Sequence, residues 1–269
     1  MRPLLLLLAM LCSAVVGAAP RVISLAPSMT EIVLELQAGD LLVGVLDGGE
    51  RPSQIRALPS VGQHGQLNIE YLLSLRPDLL LLWPGSVAPA QRNQLKRLGI
   101  PIYSAEPRDL DQLIEQIAAI GRRLDREQQA LEYAQALRER LNELRHRYHR
   151  EQPLQVFYQV WDKPLYTLGG RQFVSDALRV CGARNVFDDL EQPAPQVSLE
   201  TVLLRNPQVI LASDQAQLES WKTWPQLDAV ANGHLLVVPD KGLERPSGQM
   251  IEATARLCEL LDARVPASR

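Results

Sequence analysis

The chain has 269 residues, of which 46% are hydrophobic and 22% are charged, and its formal net charge is −3. This apolar fraction is typical of a folded globular protein and excludes a chain that is disordered throughout. The mildly acidic balance gives no support to nucleic acid as a partner, because phosphate binding requires a basic surface.

The first 18 residues have the pattern of a secretory signal peptide. A basic start at Met1-Arg2 precedes an apolar run from Leu4 to about Ala14, and the small residues of Val16-Gly17-Ala18 predict a cleavage site. We therefore expect export to the periplasm of a mature chain that begins at Ala19. Nothing after residue 20 is long and apolar enough to cross a membrane, so we expect the mature chain to be soluble.

Two stretches 130 residues apart, 66–83 and 196–212, have matching patterns and indicate an internal duplication. Each begins with a short polar residue that can cap a helix, Asn68 or Ser198, and places a glutamate at the second helical position, Glu70 or Glu200. A proline ends each short amphipathic helix. The continuous apolar run that follows is typical of a strand buried on both faces.

The flanking segments predict a parallel sheet in each half. The halves open with predicted strands at Arg21–Ala26 and Gln155–Val160, and each later passes from a helix into a further strand. Strands that alternate with helices are typical of parallel sheets. The predicted fold class is therefore α/β, with two Rossmann-like lobes. Ligands of such sheets bind beyond the carboxyl ends of the strands, so we expect one cleft between the lobes.

The segment 109–150 between the halves is helical in pattern. Gly121 and the capping-box pattern of Asp125 and Gln128 predict two helices, of which the second starts near Arg126. A helix of this length predicts a rigid connection between the lobes. The expected organisation is a signal peptide at 1–18, an N-terminal lobe at 19–108, this interlobe segment at 109–150 and a C-terminal lobe at 151–269.

The cysteines indicate one disulfide. Cys12 lies in the predicted signal peptide, so the mature chain keeps Cys181 and Cys258. An even pair in an oxidising compartment predicts that the two are bonded to each other. Two buried free thiols are the alternative.

Several motifs resemble a known family. The strongest are Leu75-Arg76-Pro77-Asp78-Leu79, the Cys-Gly-x-x-Asn-x-Phe run from Cys181 to Phe187, Pro195-Gln196-Val197-Ser198 and Leu243-Glu244-Arg245. Together with the leader, the two lobes and the long helix, they resemble the substrate-binding proteins of ABC importers for metal chelates. Within that class the whole mature chain is most similar to the BtuF-type branch, which binds vitamin B12.

The resemblance implies a function and partners. The chain would hold cobalamin, or another corrinoid, as a transported ligand and not as a cofactor. It would remain a monomer until it docks onto the membrane permease subunits of an ABC importer, which works with its ATPase. Glu70 and Glu200 match two carboxylates that contact arginines of those subunits, and Cys181 and Cys258 match the family disulfide. The alternative for each glutamate is a local role, since a carboxylate at this position stabilises its own helix.

The resemblance also implies a set of residues that line the cleft. It includes the loop from Lys241 to Arg245, which matches a corrinoid-contacting loop. The expected ligand-binding residues are Ala26, Pro27, Ser28, Gly48, Arg51, His64, Trp83, Trp161, Lys241, Gly242, Leu243, Glu244 and Arg245. This chain departs from the family at several aromatic positions, which align here with Gly48, His64, Ala194, Gly242 and Leu243.

The departures keep other ligands open. His64 is a candidate axial ligand for cobalt or iron, with a polar loop residue as the alternative, and no other metal ligand is predicted. Haem is the alternative cargo, although the tyrosine that the haem branch often has near the position of Gln63 is missing. A ferric siderophore is a further alternative, because Arg51 and Arg245 could pair with an anionic chelate.

The sequence carries no motif of a common enzyme class. It has no Gly-x-Gly-x-x-Gly after a strand, no Walker loop, no Gly-x-Ser-x-Gly and no His-Glu-x-x-His. We therefore expect a binding protein without catalytic residues and without a cofactor, and an enzyme is the competing hypothesis.

Overall fold

A computed structural model describes residues 19–49 and 51–266, so the predicted signal peptide lies outside the described residues. The first lobe is built on a six-stranded sheet whose strands have the spatial order β4-β3-β2-β1-β5-β6. All neighbours are parallel except β3 and β4. The strands are β1 (Val22–Ser24), β2 (Leu42–Asp47), β3 (Ser60–Gln63), β4 (Gln66–Leu67), β5 (Leu79–Leu82) and β6 (Ile102–Ser104).

Three helices accompany this sheet: α1 (Pro27–Glu35), α2 (Ile69–Ser74) and α3 (Pro89–Arg97). Strand β1 is shorter than the predicted Arg21–Ala26 because α1 begins at Pro27, with Ala26 as its N-cap. Proline is favoured at the first helical position, since its missing N–H is not needed there. The chain therefore leaves the sheet just before the cleft.

Two helices connect the lobes, α4 (Leu110–Arg123) and α5 (Glu127–Arg147). The predicted start of the second near Arg126 is confirmed, but the predicted capping box is wrong. Arg126 is the N-cap without a side-chain hydrogen bond, and Asp125 precedes it with a φ of 53°. The chain reverses direction there, and aspartate tolerates this left-handed conformation better than most residues do. At Gly121 a Cβ atom would lie 2.0 Å from Ala130 Cβ, so glycine permits the close packing of α4 on α5.

The second lobe contains a four-stranded parallel sheet with the order β10-β7-β11-β12, and a separate hairpin of β8 and β9. Its strands are β7 (Leu154–Gln159), β8 (Trp161–Asp162), β9 (Leu165–Tyr166), β10 (Ala183–Asn185), β11 (Val209–Ala212) and β12 (Leu235–Val237). Its helices are α6 (Phe173–Val180), α7 (Leu199–Arg205), α8 (Gln215–Glu219), α9 (Asp228–Ala231) and α10 (Gln249–Arg264). The two-lobed α/β prediction is confirmed.

The internal repeat folds as predicted. The Asn68 side chain accepts a hydrogen bond from the Tyr71 backbone N–H at 2.9 Å, and Ser198 accepts one from the Thr201 N–H at 3.2 Å. Each glutamate of the repeat therefore occupies the second position of α2 or α7. The strands that follow, β5 and β11, are buried at every residue.

One hydrophobic core runs through both lobes. It joins residues of α1 and α4 to residues of α5, α6 and α10, including Met29, Ile117, Leu141, Val174 and Ile251. The lobes thus share a packed base formed by the connecting helices. No helix among the residues described has both the length and the apolar character needed to span a bilayer.

The predicted disulfide is confirmed, since Cys181 at the end of α6 is bonded to Cys258 of α10. The bond joins residues 77 apart, for which the chain-entropy model gives a stabilisation of roughly 4 kcal/mol. Both cysteines are fully buried, so substitution tests the bond more cleanly than a reductant does. We expect the Cys181→Ala/Cys258→Ala variant to melt several degrees lower than wild type and still to bind ligand. An unchanged melting temperature would show that the bond contributes nothing.

Candidate ligand-binding cleft

A first cavity lies beyond the carboxyl ends of β1 and β2. It is open to solvent and, with the solvent space at its mouth, amounts to about 410 Å³; it is lined by Pro27, Thr30, Glu31, Val45, Leu46, Gly48, Gly49, Arg51, Pro52, Ile55 and Arg245. Arg245 belongs to the second lobe, whereas the other residues belong to the first. This first-lobe cavity is therefore closed on one side by the opposite lobe.

A second cavity lies beyond the carboxyl end of β7. It is also open to solvent and, with the solvent space at its mouth, amounts to about 590 Å³; it is lined by Tyr158, Val160, Leu168, Gln172, Phe173, Val174, Leu243, Glu244, Pro246 and Met250. Consecutive residues, Glu244 and Arg245, line different cavities. The end of the short 3-10 helix Lys241–Glu244, with Arg245 directly after it, thus stands between this second-lobe cavity and the first-lobe cavity. The two form the walls of one cleft, where the parallel sheets predict a ligand site.

Arg51 is held in place on the wall of the first-lobe cavity. Its Nε donates to Asp47 Oδ1 at 2.6 Å, and its Nη1 donates to the Leu58 carbonyl oxygen at 2.5 Å. The Ser60 hydroxyl donates to the other Asp47 oxygen, and this bond, followed by the bond from Arg51, lowers the pKa of the Asp47 carboxyl. The guanidinium is therefore preorganised, and its charge is already paired.

An interlobe clamp, formed by Glu31 and Glu35 of α1 with residues 245–249, joins the lobes beside the cleft. Glu31 Oε1 accepts from Arg245 Nη1 at 2.9 Å, and Glu31 Oε2 accepts from Gln249 Nε2 at 2.7 Å. Glu35 accepts from the backbone N–H groups of Gly248 and Gln249 at 2.9 and 3.0 Å. Helix α10 has no side-chain cap from its own lobe, so Glu35 supplies one from the other lobe.

The charges of the cleft bear on the alternative ligands. Both basic residues expected to attract an anionic chelate, Arg51 and Arg245, already have carboxylate partners. An anionic ligand would have to compete with Asp47 and Glu31 for them. The cleft therefore favours a ligand whose contacts are mainly apolar and uncharged.

The two predicted cleft tryptophans lie outside the cavity linings. Trp83 packs across the lobe boundary against Phe173, with ring centroids 6.2 Å apart, and Phe173 lines the second-lobe cavity. Trp161 is 56% exposed on the β8–β9 hairpin, and its Nε1 donates to the Lys163 carbonyl oxygen at 3.1 Å. Trp83 is thus half-buried at the lobe boundary, and Trp161 presents a ring to solvent.

Of the remaining residues predicted to bind ligand, some line a cavity and others do not. Pro27, Gly48, Leu243 and Glu244 line a cavity, whereas Ala26, Ser28 and Gly242 are buried near one and Lys241 is exposed. At Gly48 a Cβ would lie 2.4 Å from Pro27 Cγ, so glycine lets this proline approach the loop.

His64 is exposed at the turn between β3 and β4 and lines neither cavity. Within residues 19–49 and 51–266, no group of three or more His, Cys, Asp or Glu side chains could hold a metal ion. Any contact from His64 to a bound metal would thus come from an isolated side chain at a hairpin tip.

Sequence reasoning missed several residues of the walls, notably Glu31, Tyr158, Phe173 and Met250. The only available signal was at Tyr158, a polar aromatic residue near the end of a strand that is otherwise buried. Glu31, Phe173 and Met250 lie on helices whose cleft-facing side cannot be identified without the packing of both lobes.

The repeat glutamates lie on exposed helices away from both cavities. Glu70 and Glu200 are exposed, and a hydrogen bond from its own backbone N–H lowers the pKa of the Glu200 carboxyl. Leu204, one turn further along α7, is 86% exposed. Arg205 fixes the end of this helix, since its Nη2 donates to Asp189 Oδ2 at 2.9 Å. A rigid helix thus presents an anionic and an apolar group to solvent.

Comparisons with curated proteins agree with a binding cleft. The sequence profile of a family described as "Periplasmic binding protein" matches residues 22–241. A protein of Vibrio cholerae named "Vitamin B12-binding protein" is 36% identical over 246 residues, covering 90% of this chain and 89% of its own length. A protein of the same name from Yersinia pestis is 35% identical over 252 residues, covering 93% of this chain and 88% of its own length.

A solved structure shows the same architecture. The crystal structure of the periplasmic vitamin B12 binding protein BtuF of Vibrio cholerae matches with a TM-score of 0.82 at 36% identity. The match covers 91% of this chain and 98% of that chain. The likeness extends over both lobes and the helices between them.

Proposed function

The chain belongs to the periplasmic binding protein family, and from this premise we propose that it captures vitamin B12, or a related corrinoid, between its lobes. The observation that carries the proposal is the identity of 36% and 35% to proteins named for vitamin B12 binding, over nine-tenths of the chain. The cleft supports it, because mostly apolar walls with a few fixed polar groups suit a large flat ligand with an amide rim.

We further propose that the protein works in the periplasm after removal of residues 1–18 and delivers its ligand to an ABC importer. Family membership and the leader pattern support this location. Two exposed glutamates, one on each lobe, support docking onto a two-fold membrane partner, since a pseudo-symmetric surface can contact equivalent sites on both subunits. The ligand is released unchanged, so the protein acts by binding and not by catalysis.

The ligand assignment is tested by equilibrium dialysis of the purified mature protein against cyanocobalamin and, separately, against haemin. We expect cyanocobalamin to bind with a stoichiometry of one and to be recovered chemically unchanged, as read from its visible spectrum. Tight binding of haemin without uptake of cyanocobalamin would contradict the proposal and favour the haem alternative. Conversion of either compound would favour an enzyme.

A further inference from the structure

The short helices α2 and α7, which carry the two repeat glutamates, also carry exposed apolar side chains. Among residues 19–49 and 51–266, eight large apolar side chains are exposed, and three of them lie on these two helices: Tyr71, Leu73 and Leu204. The helices are only six and seven residues long. A single exposed leucine is common on protein surfaces, so the position of these side chains relative to the glutamates decides whether they have a role.

Each glutamate has an exposed leucine one turn further along its own helix. Leu73 follows Glu70 by three residues, and Leu204 follows Glu200 by four. Residues three and four apart lie on the same face of a helix, so the carboxylate and the leucine point to the same side. The exposed fraction of the side chain is 36% for Leu73 and 86% for Leu204. Each lobe therefore presents one anionic and one apolar group next to each other.

The two lobes reach this arrangement with different positions of the repeat. Leu203 corresponds to Leu73 of the first lobe, and Ser74 corresponds to Leu204 of the second. In the second lobe Leu203 is half-buried and packs against the core, so the next residue supplies the exposed leucine. A simple copy of the first lobe would have placed a serine there. An exposed leucine thus accompanies the glutamate in both lobes.

The end of α7 is fixed around Leu204. Asn206 ends the helix in the left-handed conformation, with a φ of 41°. The Arg205 guanidinium lies over the ring of Phe187, 4.4 Å from its centroid, and also pairs with Asp189. Because both residues that follow Leu204 are held in place, a partner that covers this leucine does not have to order the helix first.

The charge of the two helices favours a basic protein partner. Among the residues described, no lysine, arginine or histidine forms an ion pair with Glu70 or Glu200. A second copy of the chain bound through the same helix would place glutamate against glutamate, and an anionic lipid surface would repel both carboxylates. A protein site with a basic side chain beside an apolar pocket accommodates both groups.

We propose that each lobe docks onto the importer through a two-part face, formed by Glu70 with Leu73 on the first lobe and by Glu200 with Leu204 on the second. The partner is a membrane subunit that places an apolar pocket next to a basic side chain. The inference rests on the proposed function and deepens it, since the carboxylates alone account only for the charged part of the contact. The leucines supply apolar surface that docking removes from water.

The first test removes the apolar group and leaves the carboxylate in place. We expect Leu204→Ala to bind the importer in nanodiscs about 10-fold more weakly than wild type, because docking then buries less apolar surface. The less exposed Leu73 should contribute less, with a loss of about 3-fold for Leu73→Ala. Leu131→Ala is the matched control, since Leu131 is exposed on the interlobe helix α5. This control should dock as wild type does.

The fold and the cleft should be unaffected by these substitutions. Both leucines of the two-part faces are exposed and lie outside the two cavities, and alanine maintains the helix. The melting temperature of Leu204→Ala and its affinity for cyanocobalamin should therefore equal those of wild type. A lower affinity for cyanocobalamin would place the leucine in the ligand site and contradict the proposal.

The second test uses salt to separate the apolar part of the contact from the charged part. Sodium chloride screens charges but does not screen apolar contacts. The ratio of the wild-type affinity to that of Glu200→Ala should therefore narrow as salt is raised. The ratio for Leu204→Ala should stay constant within about 2-fold. If both ratios narrow in parallel, the leucine acts only through the carboxylate and the two-part face is refuted.

The outcomes distinguish the inference from the proposed function. If wild type docks and Leu204→Ala docks equally well, the inference is wrong, although docking itself stands. Binding to nanodiscs without the importer, or a wild-type dimer in sedimentation velocity, would assign Leu204 to a lipid surface or a second copy if Leu204→Ala abolished it, and would overturn the inference. Failure of loaded wild type to bind the importer at all would overturn the proposed delivery.

Discussion

Replacing both Glu70 and Glu200 by alanine is expected to abolish stable docking onto the importer while leaving the affinity for cyanocobalamin unchanged. Both carboxylates are exposed and lie outside the cavities, so ligand contacts should survive. A desolvated charge pair at an interface is worth ~2–5 kcal/mol. Each single change should therefore weaken docking by roughly 30-fold or more. The measurement is binding of the loaded protein to the importer in nanodiscs.

A matched control separates docking from a general loss of charge. Glu115 and Glu127 are exposed glutamates on α4 and α5, and their double alanine variant removes the same charge from the interlobe helices. This control should dock as wild type does. Raising the salt concentration should weaken wild-type docking more than the residual docking of the Glu70/Glu200 variant. A loss of cyanocobalamin affinity with intact docking would place the two carboxylates in the cleft and refute the assignment.

The second large effect is expected at the interlobe clamp. Glu31→Ala/Glu35→Ala removes the acceptors of Arg245 and Gln249 and the cap of α10. Loss of a cap costs ~0.5–2 kcal/mol, and the loss of a hydrogen-bonded charge pair adds to it. We expect thermal stability to fall by ~2–4 kcal/mol and the radius of gyration in small-angle scattering to increase as the lobes separate.

The scattering result identifies the role of the clamp. Wild type, whose lobes share a core and the clamp, should show little change in radius of gyration when ligand binds. The double variant should be larger without ligand and should compact when ligand is added. Equal radii of gyration for the two proteins without ligand would show that the core alone sets the lobe angle.

Glu35 also predicts a pH dependence of stability. Burial is the main cause that raises the pKa of its carboxyl, and the charge of Glu31 acts in the same direction. A carboxyl with a raised pKa in the folded state contributes stability that is present below its unfolded pKa and is lost as pH rises through the folded pKa. The unfolding free energies of wild type and Glu35→Gln are measured by chemical denaturation between pH 7 and pH 4. As the pH is lowered, we expect the unfolding free energy of wild type to increase relative to that of the variant.

The sequence alone predicted those features that depend on near neighbours. The caps Asn68 and Ser198, the glutamates two residues later and the buried strands after them follow from helix capping and hydrophobic periodicity over a few residues. Repetition of that pattern predicted two lobes. The resemblance to substrate-binding proteins of ABC importers gave the two glutamates a predicted role in docking. The disulfide was predicted because the mature chain has an even pair of cysteines and is expected in an oxidising compartment.

Only the tertiary structure determined which side chains meet in the cleft. Glu35 caps a helix whose first residue is 214 positions away, and no local pattern identifies such a partner. Asp125, a suitable cap by its type, instead adopts a left-handed conformation because two packed helices require a reversal there. Tyr158 could be assigned to a strand from the sequence. That its side chain lines the same cavity as Glu244 depends on how the lobes pack, because burial is set by residues distant in the chain.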